Sequence, residues 1–343
     1  MRYASAIICM LAVLLAGVAG QTRSTTEPPL GLLPLPGDGK INQDAVAIGK
    51  SLFFDVRLSA DGKRSCATCH VPDFGFAEPA RVSAGMTGKP LQRNAPTLLN
   101  VGYLPILMWD GRFSTLERQA LQPFSEENEM GGRIEHVLKI VSQDSTYRAR
   151  FRLAFRGEPT ADRIAAALAA YERSLVAGNS KFDLFLFGQD KVALSESAER
   201  GFGVFIRANC ILCHEIFHSA VHPLGGNEAL FTDFRFHNLG VGYKNGVMID
   251  LGRSLVTERK EDWGRFKTPT LRNVALTAPY MHDGSLPTLR DVVKFYNQGG
   301  IPNPNLDPAI RPLGLTDVEI DDLVQFLESL TSPDRVSFKW PDR

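Results

Sequence analysis

The sequence predicts an all-α fold made of two duplicated domains, with long loops between the helices. Three observations predict it: two C-x-x-C-H motifs, a block of residues that recurs 173 positions later, and apolar residues at helical spacing. With 343 residues, of which 44% are apolar and 22% charged, the chain is long enough for two compact domains. Basic and acidic residues balance at 38 each, so the composition gives no sign of a nucleic-acid-binding surface.

The N-terminal segment 1–20 predicts a cleaved signal peptide. Arg2 precedes an apolar run over residues 4–16, and the small residues before Gln21 are typical of a cleavage site. The apolar run is short for a transmembrane helix, although an uncleaved N-terminal anchor is the alternative. Residues 21–40 are rich in Pro, Gly and Thr and predict a flexible leader. We therefore expect an exported, periplasmic protein with no transmembrane segment in the mature chain.

The two C-x-x-C-H motifs contain all four cysteines that follow the signal peptide. They are Cys66-Ala-Thr-Cys69-His70 and Cys210-Ile-Leu-Cys213-His214. Cysteines one helical turn apart can both reach the vinyl groups of one haem, and the adjacent histidine can ligate its iron. Two disulfides, a thioredoxin-like pair or part of a zinc site are the alternatives. Because histidine recurs at the same place, the pattern favours two covalently bound haem c groups.

An internal repeat predicts one haem in each half of the chain. Segments 96–101, 108–111 and 115–116 recur 173 residues later as 269–274, 281–284 and 288–289. A Gly-x-x-x-Phe pair also precedes each haem motif, Gly49 with Phe53 and Gly201 with Phe205, and predicts close packing at the glycine. We therefore expect one domain over residues 41–185 and a second over residues 186–335.

The second half contains an insertion. The haem motifs are 144 residues apart, so 29 extra residues separate the second motif from its repeat block. We place them within residues 216–266, a stretch that also holds His218 and His222.

Two helices are predicted with their boundaries. Ile164, Leu168, Tyr171 and Leu175 follow the stripe of an amphipathic helix that begins after Pro159-Thr160. Thr316 and Glu319 form a capping box that opens a final helix. The buried stripe of that helix is predicted to include Ile320, Leu323, Val324 and Leu327.

Together these motifs resemble the bacterial dihaem cytochrome c peroxidase family and, within it, the MauG-like branch. The resemblance covers residues 41–332. It rests on both haem motifs, on the segments RNAPTLLN and WDGR, on Glu129-Met130 and on LRNVALTAPYMHDGS. It implies two cytochrome c-like domains, the first with a high-spin peroxidatic haem and the second with an electron-transfer haem. It also implies an enzyme that acts on hydrogen peroxide.

The resemblance assigns three catalytic positions. The distal glutamate of the family falls on Glu129, its distal glutamine on Gln119 and the tryptophan between its haems on Trp109. Peroxide cleavage requires an open iron position and a group that moves a proton between the two peroxide oxygens. Without the resemblance, Glu129 fits a solvated acid, Gln119 a surface helix residue and Trp109 a core aromatic.

Two departures from the typical peroxidases concern the iron ligands. Where those proteins carry a capping histidine before RNAPT, this chain has Met86, which can ligate iron or simply fill space. The simpler interpretation is a first haem held by His70 alone. Fourteen residues after His282, where the peroxidases place a methionine ligand, this chain has Tyr296, as MauG-like members do. If Tyr296 only packs, Met248 or Met281 is the replacement ligand.

The resemblance also implies a calcium ion between the domains. Its ligands fall on the side chain of Asn94 and on the backbone carbonyls of Thr277 and Pro279. Oxygen ligands suit this cation.

Three functions follow as hypotheses. The first is a MauG-like oxidase that uses peroxide to oxidise a partner protein. The second is a peroxidase that reduces hydrogen peroxide with electrons from a small cytochrome c or cupredoxin. The third is a dihaem electron carrier without catalysis. Tyr296 and the missing capping histidine favour the first, while Glu129 and Gln119 argue against the third.

Overall fold

The computed structural model describes residues 28–35, 41–217 and 229–333, and within these ranges the chain is mostly helical. The helices there are α1 (Gln43–Phe54), α2 (Cys66–Cys69), α3 (Leu116–Ser125), α4 (Ile134–Gln143), α5 (Ser145–Phe155), α6 (Ala161–Ser174), α7 (Lys181–Leu186), α8 (Glu196–Arg207), α9 (Ser254–Thr257), α10 (Leu289–Asn297) and α11 (Asp317–Ser329). As predicted, α6 begins after Thr160, and α11 begins with the capping box of Thr316 and Glu319.

The all-α prediction needs one correction, because the described residues also include four two-residue strands. They are β1 (Phe236–His237), β2 (Tyr243–Lys244), β3 (Val247–Met248) and β4 (Phe266–Lys267). β1 pairs with β4 and β2 with β3, both antiparallel. This stretch is largely non-helical, so short ladders satisfy some of the backbone groups that helices satisfy elsewhere.

Two hydrophobic cores occupy successive halves of the chain. The first collects residues between Ile48 and Ala177, and the second collects residues between Phe182 and Leu330. In the first core α1 packs on α6, and in the second α8 packs on α11.

The glycines of the Gly-x-x-x-Phe pairs lie where these helices touch. A Cβ on Gly49 would collide with the backbone oxygen of Ala167, and one on Gly201 with the backbone oxygen of Asp322. The predicted close packing is confirmed at both positions.

The repeat block keeps the same backbone conformation in both halves. Asn100 and Asn273 have φ of 63° and 59°, and Met108 and Met281 have φ of 69° and 72°. Isolated antiparallel bridges close the two loops, between Leu107 and Phe113 and between Tyr280 and Leu286. Residues other than glycine rarely adopt positive φ. The matching φ values at equivalent positions therefore show that the two halves share this loop conformation as well as helices.

The insertion is divided into two parts by Phe231. Thr97 and Thr270 are equivalent in the repeat. The Thr97 hydroxyl donates to the carbonyl of Gly75, which precedes Phe76, and the Thr270 hydroxyl donates to the carbonyl of Leu230, which precedes Phe231. Phe76 and Phe231 are therefore equivalent positions. Phe76 and Phe231 also share positive φ, 56° and 54°. One part of the extra length therefore precedes Phe231 and the rest follows it. The histidines His218 and His222 lie outside the described residues.

Part of the expected flexible leader is packed against the body of the protein. Leu32 and Leu35 are buried in a third cluster with Tyr103 and Leu230, and the Gly31 carbonyl accepts a hydrogen bond of 2.7 Å from Arg272. Residues 28–35 are therefore packed rather than forming part of a flexible leader. Burial of their leucines is favourable even though Pro and Gly separate them.

The predicted signal peptide, residues 1–20, lies outside the described residues. No helix in the described ranges is long and apolar enough to cross a membrane.

Candidate functional site

The first C-x-x-C-H motif presents its histidine ready to bind a metal. Cys66 and Cys69 open and close α2, which Ser65 and Thr68 cap reciprocally. His70 follows the helix, and its Nδ1 lies 3.0 Å from the Phe76 carbonyl oxygen. Because a carbonyl only accepts, Nδ1 must carry the proton, and Nε2 is left as the free lone pair for an iron.

The second motif repeats this arrangement. Cys210–Leu212 forms a 3₁₀ turn, and Nδ1 of His214 lies 3.0 Å from the Phe231 carbonyl oxygen. Among the described residues, all four motif cysteines are free thiols rather than disulfides, as covalent haem attachment requires.

Beside the second motif is a cavity of about 410 Å³. Cys210, Cys213 and His214 line it, and so does Tyr296 on α10. The remaining lining is mainly apolar and includes Leu239, Val241, Leu271, Leu289 and Leu327. An apolar cavity edged by two thiols and an oriented imidazole fits a haem c group, so the residues present suit the cofactor that the motif implies.

Tyr296, the residue expected as a second ligand, lines that cavity together with His214. Its hydroxyl has no hydrogen-bond partner among the described residues, and burial raises its pKa. Met281 lines the same cavity, whereas Met248 is buried and lies outside the lining. The structure thus brings together His214, Tyr296 and Met281 and leaves Met248 apart.

Glu129 lies on the side of the first motif. Burial raises its pKa, the nearby Glu126 raises it further, and Arg112 opposes them. Burial raises the pKa of Cys69, Ser83 opposes this, and the charges of Glu78 and Glu129 raise it further, so the Glu129 carboxylate acts electrostatically on a cysteine of the first motif. Glu129 is half-buried rather than fully exposed, and its assignment as the distal acid stays a prediction.

Gln119 and Met86 lie on elements that contact the residues following Glu129 in the chain. Gln119 is half-buried on α3, and the Met130 amide donates to the Pro123 carbonyl near the end of that helix at 3.2 Å. Among the described residues no hydrogen bond joins the Gln119 side chain to Glu129. The Met86 sulfur packs against Gly131, close enough that a Cβ there would collide with it.

Trp109 lies at the junction of the two halves. Its indole Nε1 donates to the Asn94 carbonyl at 2.9 Å, and its own carbonyl accepts from the Lys267 amide at 2.8 Å. Its ring meets the ring of His282 edge to face, with centroids 6.5 Å apart. The cavity of the second motif extends to Trp109, which places this ring next to the second haem site.

The three residues of the expected calcium site line the same cavity. Asn94 is buried, and its Nδ2 donates to the carbonyls of Ala80 at 2.9 Å and Arg81 at 3.3 Å. Its Oδ1 and the carbonyls of Thr277 and Pro279 accept no hydrogen bond from the described residues. These three oxygens are the donor type that calcium prefers.

A charged cluster that sequence reasoning missed ties the junction together. Arg93 forms a two-pronged ion pair with Asp250 at 2.6 and 2.8 Å and also contacts Asp110 at 2.6 Å. Its guanidinium lies over the ring of Phe266, 5.4 Å from the centroid, and that ring stacks on His282 at 3.6 Å. Arg93, Asp110 and His282 lie in the quoted segments RNAPTLLN, WDGR and LRNVALTAPYMHDGS, but nothing in the sequence indicated that they would meet, and Asp250 and Phe266 carried no signal.

The family models match both halves of the chain. A model of the di-haem cytochrome c peroxidases matches residues 43–191, and a cytochrome c model matches residues 198–331.

Curated relatives match over most of the chain. The cytochrome-c peroxidase IdrP1 of Denitromonas iodatirespirans is 36% identical, over 96% of this chain and 91% of its own. The methylamine utilization protein MauG of Methylorubrum extorquens is 37% identical, over 87% of this chain and 81% of its own.

Solved structures agree with these matches. A MauG-like protein associated with microbial copper homeostasis has a TM-score of 0.77 and 30% identity, covering 94% of this chain and 99% of that one. The diheme peroxidase BthA from Burkholderia thailandensis has a TM-score of 0.74 and 26% identity, covering 90% of this chain and 92% of that one. With two oriented haem motifs and relatives matched over nearly its whole length, this chain belongs to the di-haem cytochrome c peroxidase family, which includes MauG.

Proposed function

We propose that this chain is an exported enzyme that reacts with hydrogen peroxide at the haem of its first domain, 41–185. It shares the oxidising equivalents with the haem of its second domain, 186–335, and thereby oxidises a partner protein. The observation that carries this proposal is that His214 and Tyr296 line one cavity, to which the ring of Trp109 extends from the other half.

The residues that hold the two haems follow from the motifs. Cys66 and Cys69 would attach the first haem and His70 would ligate it, while Cys210, Cys213 and His214 would do the same for the second. When bound, each haem would supply an iron redox centre, and an iron with an open position would be the one able to take peroxide. The protein then has to move protons, exclude solvent and connect the two sites.

Glu129 is the group that moves the proton. A carboxyl whose pKa is raised by burial holds a proton closer to neutral pH than a solvated one, so it can accept a proton from peroxide and return it to the departing oxygen. Gln119 on α3 completes this side of the site as a neutral hydrogen-bonding group.

Trp109 connects the two sites. Its Nε1 hydrogen bond to Asn94 and its contact with His282 fix the plane of the indole, and a fixed ring at the junction is suited to passing an electron or hole. Tyr296 supports oxidation rather than storage of reducing power, since an anionic oxygen ligand stabilises the higher oxidation state of an iron.

The second candidate is a cytochrome c peroxidase that reduces peroxide to water with electrons from a small cytochrome c or cupredoxin. The observation in its favour is that Met281 lines the same cavity as Tyr296. A methionine ligand would raise the reduction potential of the second haem and suit it to receive electrons.

One spectrum and one assay separate the candidates. Low-temperature electron paramagnetic resonance of the purified protein counts high-spin and low-spin haems, and the first candidate expects one of each without prior reduction. Peroxide turnover is then measured with reduced cytochrome c as donor. Fast turnover together with the near-infrared band of methionine–iron ligation would favour the second candidate.

We further propose that Asn94, Thr277 and Pro279 bind calcium. All three residues line one cavity, and the carbonyls of Thr277 and Pro279 accept no hydrogen bond from the described residues, which supports the proposal. Equilibrium dialysis against calcium, repeated with Asn94→Leu, tests it, and equal binding by both proteins would place the ion elsewhere.

A further inference from the structure

The cavity beside the second haem motif has an unbalanced set of charges. Lys267 and Arg311 line it as cations, and so does His237, whereas burial lowers the pKa of His214 and that of His282 and leaves both imidazoles neutral. Among its described lining residues there is no aspartate or glutamate. A buried cation on this lining therefore has no carboxylate of the lining to pair with, which favours an anion beside it.

Lys267 is the buried member of this set. It is 8% exposed, and its Nζ makes a single hydrogen bond among the described residues, a long one of 3.3 Å to the Thr268 carbonyl. No described carboxylate lies within ion-pair distance of its ammonium. Burial lowers its pKa to about 8, while Asp233 acts in the opposite direction from a greater distance. Buried lysines are almost always paired, so this ammonium lacks the partner that its position requires.

The other cations of the cavity do not need a further anion. His237 is held between Asp233 at 2.9 Å and Asp307 at 2.7 Å, so its charge is already compensated. Arg311 is exposed and can be neutralised by solvent. Lys267 alone combines burial with an unmet need for an anion.

Haem c carries two propionate carboxylates, and they are the anions that its attachment at Cys210 and Cys213 would bring into this cavity. We propose that the ammonium of Lys267 pairs with a propionate of the second haem and so acts as a positioning residue for that cofactor. The inference rests on haem attachment at the second motif, which is part of the proposed function. Since the Lys267 amide bonds the Trp109 carbonyl, the pair would also join the second haem to the segment that carries Trp109.

The test is the midpoint potential of the second haem in the full-length holoprotein. Lys267→Met and Lys267→Gln leave the propionate unpaired beside the iron, and its negative charge stabilises the ferric state, so we expect the potential to fall. Lys267→Arg restores the charge and should restore the potential. Lys244→Met, at an exposed lysine of β2, is the matched control and should leave it unchanged.

The outcomes distinguish this inference from the proposal on which it rests. A Cys66→Ser/Cys69→Ser variant keeps only the second motif, and absence of haem staining in it would overturn haem attachment itself. Haem retained with the same potential in both neutral variants would overturn only the pairing. If neither neutral variant binds haem, the pairing is tested by resonance Raman spectroscopy of the unaltered protein, excited in the low-spin haem band. A propionate bending band that shifts in deuterated water supports the pair, and an insensitive band overturns it.

Discussion

The rings of Trp109 and His282 meet edge to face across the junction of the two halves, with centroids 6.5 Å apart and planes at 69°. The two residues occupy equivalent positions of the internal repeat, and Asn94 links them. Its carbonyl accepts from the Trp109 indole at 2.9 Å, and its amide donates to the His282 carbonyl at 2.8 Å. The duplicated position therefore carries two aromatic rings that meet edge to face at the junction of the two halves.

The first prediction concerns this junction. Trp109→Phe keeps an aromatic ring but loses the hydrogen bond to Asn94 and is harder to oxidise. We expect the first haem to react with peroxide at close to its normal rate, while oxidation of the second haem becomes slower. Stopped-flow absorbance at the separate bands of the two haems measures both steps. Trp263→Phe, whose indole does not line the cavity, is the control, and equal slowing in both variants would argue against a relay through Trp109.

The second prediction concerns Glu129. Glu129→Gln should leave both haem spectra intact and slow the reaction with peroxide by about 10²–10⁴-fold, the usual contribution of a general acid–base group. In the unaltered protein the rate should fall as pH decreases through the pKa of Glu129, which burial places above the ordinary 4.5. The variant should lose this dependence. Glu127→Gln, at an exposed neighbour, should behave as the unaltered protein does.

The third prediction tests the helix contact that the Gly-x-x-x-Phe pair encodes. Gly201→Ala would drive a Cβ into the backbone oxygen of Asp322, and we expect overpacking to cost about 1–3 kcal/mol of stability. Gly203→Ala, two residues along the same helix, meets no atom closer than 4.0 Å. It should stabilise the helix by about 0.5–1 kcal/mol because alanine loses less backbone entropy than glycine. Unfolding midpoints that move in the same direction would contradict the close packing.

These results show which features local sequence encodes. Thr160 and Thr316 cap their helices as predicted, since a cap depends on residues three positions away. The cysteine spacing and the repeat likewise identified both haem motifs. By contrast, the packing of Leu32 and the burial of Lys267 depend on residues far away along the chain. Composition predicted a flexible leader around Leu32, and nothing near Lys267 indicated that its side chain would line a cavity.

The fourth prediction concerns the pH dependence of stability. Glu172 is buried on α6, its Oε2 has no partner among the described residues, and burial raises its pKa to about 8 from 4.5. Between these values the folded protein keeps the proton that the unfolded chain has lost, so stability should decrease as pH rises through this range. Glu172→Gln should remove this slope and be the more stable protein at about pH 8. Unfolding midpoints at several pH values measure it, with Glu158→Gln at the surface as control.

The last prediction concerns Tyr296. If its phenolate ligates the second haem together with His214, Tyr296→Phe should convert the low-spin spectrum of that haem to a high-spin one. Tyr296→Met should raise the midpoint potential, because a thioether favours the ferrous state where an anionic oxygen favours the ferric state. Tyr243→Phe, outside the cavity lining, is the control and should change neither quantity.

The competing ligand is Met281, which lines the same cavity. If Met281→Leu abolishes the low-spin spectrum while Tyr296→Phe leaves it intact, methionine is the ligand. The second haem would then be suited to receive electrons from a donor protein, and the peroxidase candidate would replace oxidation of a partner protein.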